Sequence, residues 1–296
     1  MIGRVAACEL RKAASMETDT SAPSQRPSVP VLGTVLCAVD SSAAAAGVLY
    51  TAAGLAVQRG SRLIILRAMN APRGSDEMLA EQISLDALVR GSIPGWVAYR
   101  DETELLVAPG PPAATILGVA ADRVANLIVV GTHGRGALGR ITFGSVAAHV
   151  LRGAAVPVAI VPPAGSEVIS LTDTSAVPHV GAVLVPVDFR STSARQLAFA
   201  SRLSVAAERG IVLVHALSAR ADKEASLERL RQLATAVDSA RGVGGVVAHG
   251  DVIDVIVDRQ RRSAAGIVVL GRDAGAPCRV ALALLQRTRA LVVSVP

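Results

Sequence analysis

Aromatic side chains are nearly absent from this sequence, with one Trp, two Tyr and three Phe among 296 residues. A groove that holds nucleic acid by base stacking needs aromatics set among cations, and the one basic run, at 259–262, has no aromatic neighbours. Cysteine is scarce as well: Cys8, Cys37 and Cys278 lie far apart and form no CxxC pair. That argues against a disulfide framework or a cysteine zinc site, and it fits a reducing cytoplasm. Lysine is limited to Lys12 and Lys223, so scattered arginines carry the net charge of +6. By segment the charge is about +1 over residues 1–30, about +1 over 31–162 and about +4 beyond. The single basic run, "RQRR" at 259–262, lies on a helical pattern and reads as a solvated helix face. No apolar run approaches the roughly 18 residues that a membrane span needs. "VAAC" at 5–8 lacks the apolar stretch of a lipoprotein leader. Neither nucleic acid nor membrane is therefore an expected partner.

What the sequence has in plenty is Ala, Val, Leu and Gly, and 51% of it is hydrophobic. Small-residue helices packed on strands buried from both sides suit that mixture, so the expected class is α/β. Residues 1–30 end in "TDTSAPSQRPSVP", have no periodicity, and are expected to be a disordered tail. A second polar break, 163–180, reads as a linker between domains at 31–162 and 181–296.

On either side of that break the same order of elements recurs. "VLCAVDSSAAAAGVLYTAAGLA" matches "VLVPVDFRSTSARQLAFASRLS", which sets Asp40 over Asp188. "RGSRLIILRAM" matches "RGIVLVHAL", and "VAPG" at 107–110 matches "VAHG" at 247–250. Each half reads strand, helix, strand, an irregular middle with a third strand, helix, strand, loop, helix and a last strand. Such an order demands right-handed crossovers and a parallel, doubly wound sheet of Rossmann-like type. Ligands in these sheets bind beyond the carboxyl ends of the strands.

Asp40 and the loop from Gly131 to Ser145 both follow strands and therefore share that edge. In "GTHGRGALGRITFGS" the spacing is Gly131, two residues, Gly134, nine residues, then Gly144 and Ser145, followed by the helical pattern "VAAHVL". Glycines let backbone N–H groups reach a phosphate, and a helix N-terminus adds free donors and partial positive charge. The same loop could also serve as a plain tight turn. It lacks the Gly-Lys-Ser/Thr ending of a P-loop, which removes support for that type of phosphoryl transfer.

This spacing, with "VVGTHGRG" before it and "VPVAIVP" after it, resembles the signature G-x2-G-x9-G-[ST] of the universal stress protein family. The resemblance covers residues 31–162 well and 181–296 more weakly, as in tandem-domain members. It implies a five-stranded parallel sheet in each half, an ATP site, and pairing of the halves through their last strands as an intrachain pseudo-dimer. A homodimer of whole chains stays open. Carried over by residue, the ATP contacts are Val39, Asp40, Ala68, Val130, Gly131, His133, Gly134, Gly144, Ser145, Val146 and Ala147. Asp40 then faces the adenosine and can reach magnesium through the nucleotide, Ala68 and Val130 meet adenine, and the loop holds phosphates. Asp40 can equally cap the following helix. His133 as a general base is disfavoured against a backbone or phosphate contact, and Arg135 and Arg140 are either phosphate ligands or ordinary exposed arginines. No catalytic or metal-ligating residue stands out.

The second half keeps Asp188 and Gly271 but places Gly275 four residues on, where the signature wants three. From Gly271 to Pro296 it runs 25 residues, against 31 from Gly131 to Pro162, and no Gly-Ser pair opens the next helix. One nucleotide, in the first half, is the expectation. The leading reading is a cytoplasmic, nucleotide-responsive stress regulator. A slow ATPase and a scaffold that binds no nucleotide are the alternatives.

Overall fold

A computed structural model describes residues 31–57, 61–70, 74–96, 100–132, 144–162, 169–171, 176–178, 181–189, 193–218, 222–237, 242–272 and 279–296. The first half contains β1 (Thr34–Ala38), α1 (Ala45–Val57), β2 (Arg62–Met69), α2 (Ser75–Ser92), β3 (Thr103–Pro109), α3 (Pro112–Asp122), β4 (Leu127–Gly131), α4 (Ser145–Gly153) and β5 (Val158–Val161). A short antiparallel pair, β6 (Ile169–Leu171) and β7 (Ala176–Pro178), follows. The second half contains β8 (Val183–Pro186), α5 (Ser193–Ala207), β9 (Ile211–Leu217), α6 (Lys223–Thr235), β10 (Val243–His249), α7 (Val252–Arg262), β11 (Ile267–Gly271), α8 (Arg279–Leu285) and β12 (Leu291–Val295).

Ten strands form one sheet in the order β10-β9-β8-β11-β12-β5-β4-β1-β2-β3. Within each half all pairings are parallel, as the crossover helices require. The single antiparallel junction is β5 with β12, in register Val292↔Ile160, Val293↔Ala159 and Ser294↔Val158. Each of these strands covers what is otherwise an open edge of the other half. They are the strands of "VPVAIVP" and "ALVVSVP".

Alternate residues along each strand feed two cores. Val35, Cys37, Ile65 and Val129 face one, with α1, α2, α5 and α6; Leu36, Ile64, Ile128 and Val130 face the other, with α3, α4, α7 and α8. Both cores run through both halves, so the β5–β12 junction is packed on its two faces as well as hydrogen-bonded.

Corresponding turns in the two halves share details. Gly110 and Gly250 hold φ of 130° and 141°, and their N–H groups donate to Met69 O and Leu217 O. Val124 and Ala264 hold φ of 50° and 48° at the ends of α3 and α7. At Gly33, φ 68°, a Cβ would fall 2.1 Å from Asn126 Oδ1, the oxygen that caps Thr34 N–H at 2.8 Å. Only glycine fits that position.

One sequence expectation is corrected. The irregular middle of the first half is mostly the 18-residue helix α2. Its Leu79 and Ile83 are 61% and 62% exposed while Leu85 and Val89 are buried, so apolar residues on both faces blur the helical period. The linker carries β6 and β7, too short for periodicity to register. The "RQRR" run ends α7, with Arg261 and Arg262 exposed, Arg259 and Gln260 half-buried, and Arg262 paired with Asp258 across one turn. Residues 1–30 lie outside the described residues.

Candidate functional site

The order β3-β2-β1-β4-β5 reverses direction at β1: the chain moves outward to β2 and β3, then returns to β4 on the other side. The connections leaving β1 and β4 therefore diverge and open a crevice at their carboxyl ends. A cleft of about 620 Å³ lies there.

Its walls come from separate segments. The end of β1 and the turn after it supply Val39 to Ser42, and the end of β2 supplies Arg67 to Asn70. From β4 come Val130, Gly131 and Thr132, and from the start of α4 come Gly144 to Ala147. All of Val39, Asp40, Ala68, Val130, Gly131, Gly144, Ser145, Val146 and Ala147 thus meet in one cavity. His133 and Gly134 lie outside the described residues, as do Arg135 and Arg140. The described residues on either side of them are joined, Gly144 N–H donating to Thr132 O at 2.8 Å.

The start of α4 differs from the starts of α6 and α7. In those helices Asp222 and Asp251 sit at the N-cap, and each carboxylate accepts two backbone N–H groups. At α4 the N-cap is Gly144, with φ −61° and ψ 140°, and no described side chain caps it. The N–H groups of the first turn have no partner within a helix. At α4 they border the cleft, where an anion would satisfy them.

Asp40 forms a local turn, its Oδ1 accepting Ser42 N–H at 3.0 Å, and α1 begins only at Ala45. Asp40 therefore closes a turn ahead of α1 and does not cap that helix, and its side chain lines the cleft. Arg67 has a place that the sequence did not suggest. Only 3% exposed, its guanidinium donates to Glu81 Oε2 at 2.8 Å, Ser84 Oγ at 3.1 Å and Asp40 O at 3.4 Å. Arg67 Nε and Ser42 Oγ are buried at the cleft wall without a partner among the described residues. Burial pushes the Cys37 thiol of β1 well above its ordinary value.

The second half handles the corresponding crevice differently. Gln196 of α5, in the position of Val48, is 2% exposed, and its Nε2 donates to Pro186 O at 2.7 Å and Val269 O at 2.8 Å. One amide thus ties the end of β8 to the middle of β11, beside Pro186, which has no N–H to offer. Phe189, in the position of Ser41, holds φ 62° and lays its ring 4.2 Å from that of His215, which stands where the first half has Arg67. The guanidinium of Arg229 lies 4.3 Å from the Phe189 centroid. His215 is held by Val187 O, 2.7 Å from its Nδ1.

His149 is exposed and its Nδ1 meets Ser145 O at 2.7 Å, while Trp96 is buried packing. Among the described residues no three His, Cys, Asp or Glu side chains are grouped to hold a metal, and no helix is long and apolar enough to cross a membrane.

The model of the universal stress protein family matches residues 32–162. The first half is a universal stress protein domain. No curated protein matches the chain. Among solved structures, a universal stress protein from Archaeoglobus fulgidus DSM 4304 is 18% identical, with a TM-score of 0.64 over 88% of this chain and 97% of its own. A functionally unknown protein from Pseudomonas aeruginosa PAO1 is 16% identical, with a TM-score of 0.61 over 89% and 92%. These likenesses extend over both halves and concern the fold. The universal stress protein from Archaeoglobus fulgidus in complex with dAMP is 26% identical over 43% of this chain and 94% of its own, with a TM-score of 0.33.

Proposed function

We propose that the universal stress protein domain binds one adenine nucleotide, ATP in the first instance, in the cleft between β1 and β4, and that the chain acts as a nucleotide-responsive regulator under stress. The observation that carries this reading is the difference between the two crevices. In the first half the cleft has an uncapped helix start, a glycine entry and an apolar wall at Val48. In the second half Gln196 donates to the carbonyls of Pro186 and Val269, and the Phe189 ring packs tilted against His215. That contrast supports one site per chain and a tandem pair whose second member has given up its ligand.

The residues present fit the ligand. A volume of about 620 Å³ lies within the range of small-molecule sites, roughly 300–1,000 Å³. Gly144, Ser145, Val146 and Ala147 offer donors to phosphate oxygens, with His133 and Gly134 completing the loop. Ala68 and Val130 give a small apolar wall for the base, and Asp40 lies on the nucleoside side. Magnesium would arrive with the nucleotide, and Asp40 is a carboxylate of the cleft wall that could meet it.

Regulation is favoured over hydrolysis because no described side chain in the cleft combines a free base with a metal set. Single-turnover incubation with ATP separates the two: unchanged nucleotide over many hours supports the regulator, and stoichiometric conversion to ADP supports a slow ATPase. Failure to bind any adenine nucleotide on titration overturns both readings and leaves a scaffold. A cytoplasmic location belongs to the same proposal and rests on the cysteine usage.

A further inference from the structure

Arg272 stands where the first half has Thr132, directly after the glycine that ends β11. The backbone keeps the shared pattern, Arg272 N–H donating to Val295 O at 2.7 Å as Thr132 N–H does to Val161 O at 3.1 Å. The side chain leaves its own half. Its Nη1 donates to Arg152 O at 3.1 Å and its Nη2 to Ala154 O at 2.6 Å, contacts 120 and 118 residues apart in sequence.

Those carbonyls belong to the last turn and C-cap of α4. The antiparallel β5–β12 junction makes this contact possible. It sets the carboxyl ends of the second half's strands beside the end of the sheet where α4 terminates. Arg272 is 7% exposed, so its charge has lost most of its water. The two carbonyls and the negative end of the α4 dipole offset that loss, although Nε finds no partner among the described residues. The far end of α4, about 13 Å away for nine residues, is the uncapped start that lines the cleft.

We propose that Arg272 is a positioning residue through which the second half sets the nucleotide affinity of the first, by pinning the C-terminal end of α4 and so fixing where its N-terminal donors point. The inference rests on the nucleotide reading of the cleft. It also gives a reason for a departure from the signature, "GRD" standing where the first half has "GTH". By linkage, nucleotide in the cleft tightens the clamp by the same factor that the clamp tightens nucleotide.

The test uses the full chain as wild type, Arg272→Met and Arg272→Lys. Each is checked for folding by circular dichroism, titrated with ATP by calorimetry, and followed by amide hydrogen exchange with mass spectrometry in the absence of nucleotide. Arg272→Met is expected to weaken ATP about five- to tenfold, the lower range of site–site coupling. It should also speed exchange in the last turn of α4 while leaving β8, β9 and β10 unchanged. Lysine keeps the charge but cannot span two carbonyls with a planar fork, so its loss should be smaller, about twofold. Wild-type affinity in a folded Arg272→Met chain overturns the proposal, since an arginine that only stabilises the junction would lower melting temperature without moving affinity. Should the Met variant fail to fold, the Lys variant decides: weakened ATP supports the clamp and wild-type affinity overturns it. Unchanged α4 exchange overturns the clamp independently of any ligand. Absence of ATP binding by the wild type removes the nucleotide reading and the proposed coupling, whatever the exchange shows.

Discussion

Val48→Gln transplants the second half's bridging amide into the first. Val48 is 4% exposed and lines the cleft, and Ala38 and Val129 hold the positions of Pro186 and Val269, whose carbonyls Gln196 bridges. Removing the buried valine sacrifices about 1.5–2 kcal/mol of apolar burial. The β1–β4 ladder runs on through Cys37↔Val129 and Ala38↔Val130, whereas β8–β11 stops at Leu184↔Val268, so the new amide shares carbonyls that the ladder already engages and returns about 1 kcal/mol in all. Stability should therefore fall by about 1 kcal/mol. A nucleotide must displace the amide, which costs it about 1 kcal/mol, or about fivefold in Kd. Calorimetric titration with ATP and urea unfolding of the same preparation measure the two quantities. A variant that folds normally and binds ATP with wild-type affinity would refute the reasoning that a bridging amide closes this crevice.

Two further outcomes are expected. Gly144→Ala places a methyl group at the phosphate approach in a backbone conformation that alanine accepts, so unfolding free energy should fall by about 1 kcal/mol while ATP affinity falls more than about tenfold. Adding Ser145→Ala should deepen the second effect. Equal losses of stability and affinity would make the loop a structural turn. The Cys37 thiol, buried in β1 with its ionisation pushed up, stays protonated in the folded chain at pH values where an unfolded chain ionises. Its contribution is fully present below the unfolded value, about 8.5, and is lost as pH rises above it, by about 1.4 kcal/mol per unit. Cys37→Ala should flatten the alkaline decline in stability, and an identical decline in both chains would contradict the burial argument.

The fold was largely legible because its signals are local: Val- and Ile-rich runs ending in Asp40, Gly131, Asp188 and Gly271 mark strand ends wherever they occur. Given the strand order, a switch-point crevice follows from topology, which is why nine of the named residues meet in one cavity. Arg67, Gln196, Phe189 and Arg272 were not legible as wall, bridge, stack and clamp. Their partners lie between 10 and 120 residues away, and nothing in the local pattern of an arginine after a glycine or a glutamine on a helix names those partners. Helix α2 escaped for the opposite reason, since Leu79 and Ile83 give its solvent face an apolar signal that a buried face would give.

The central claim is one adenine-nucleotide site per chain, in the first half. Denaturing purified protein and quantifying the released nucleotide by chromatography and mass spectrometry, with titration of the nucleotide-free chain alongside, tests it most directly. The account predicts about one ATP or ADP per chain in total capacity. A capacity of two would contradict the closed second crevice, and neither released nor titrated nucleotide would contradict the site itself.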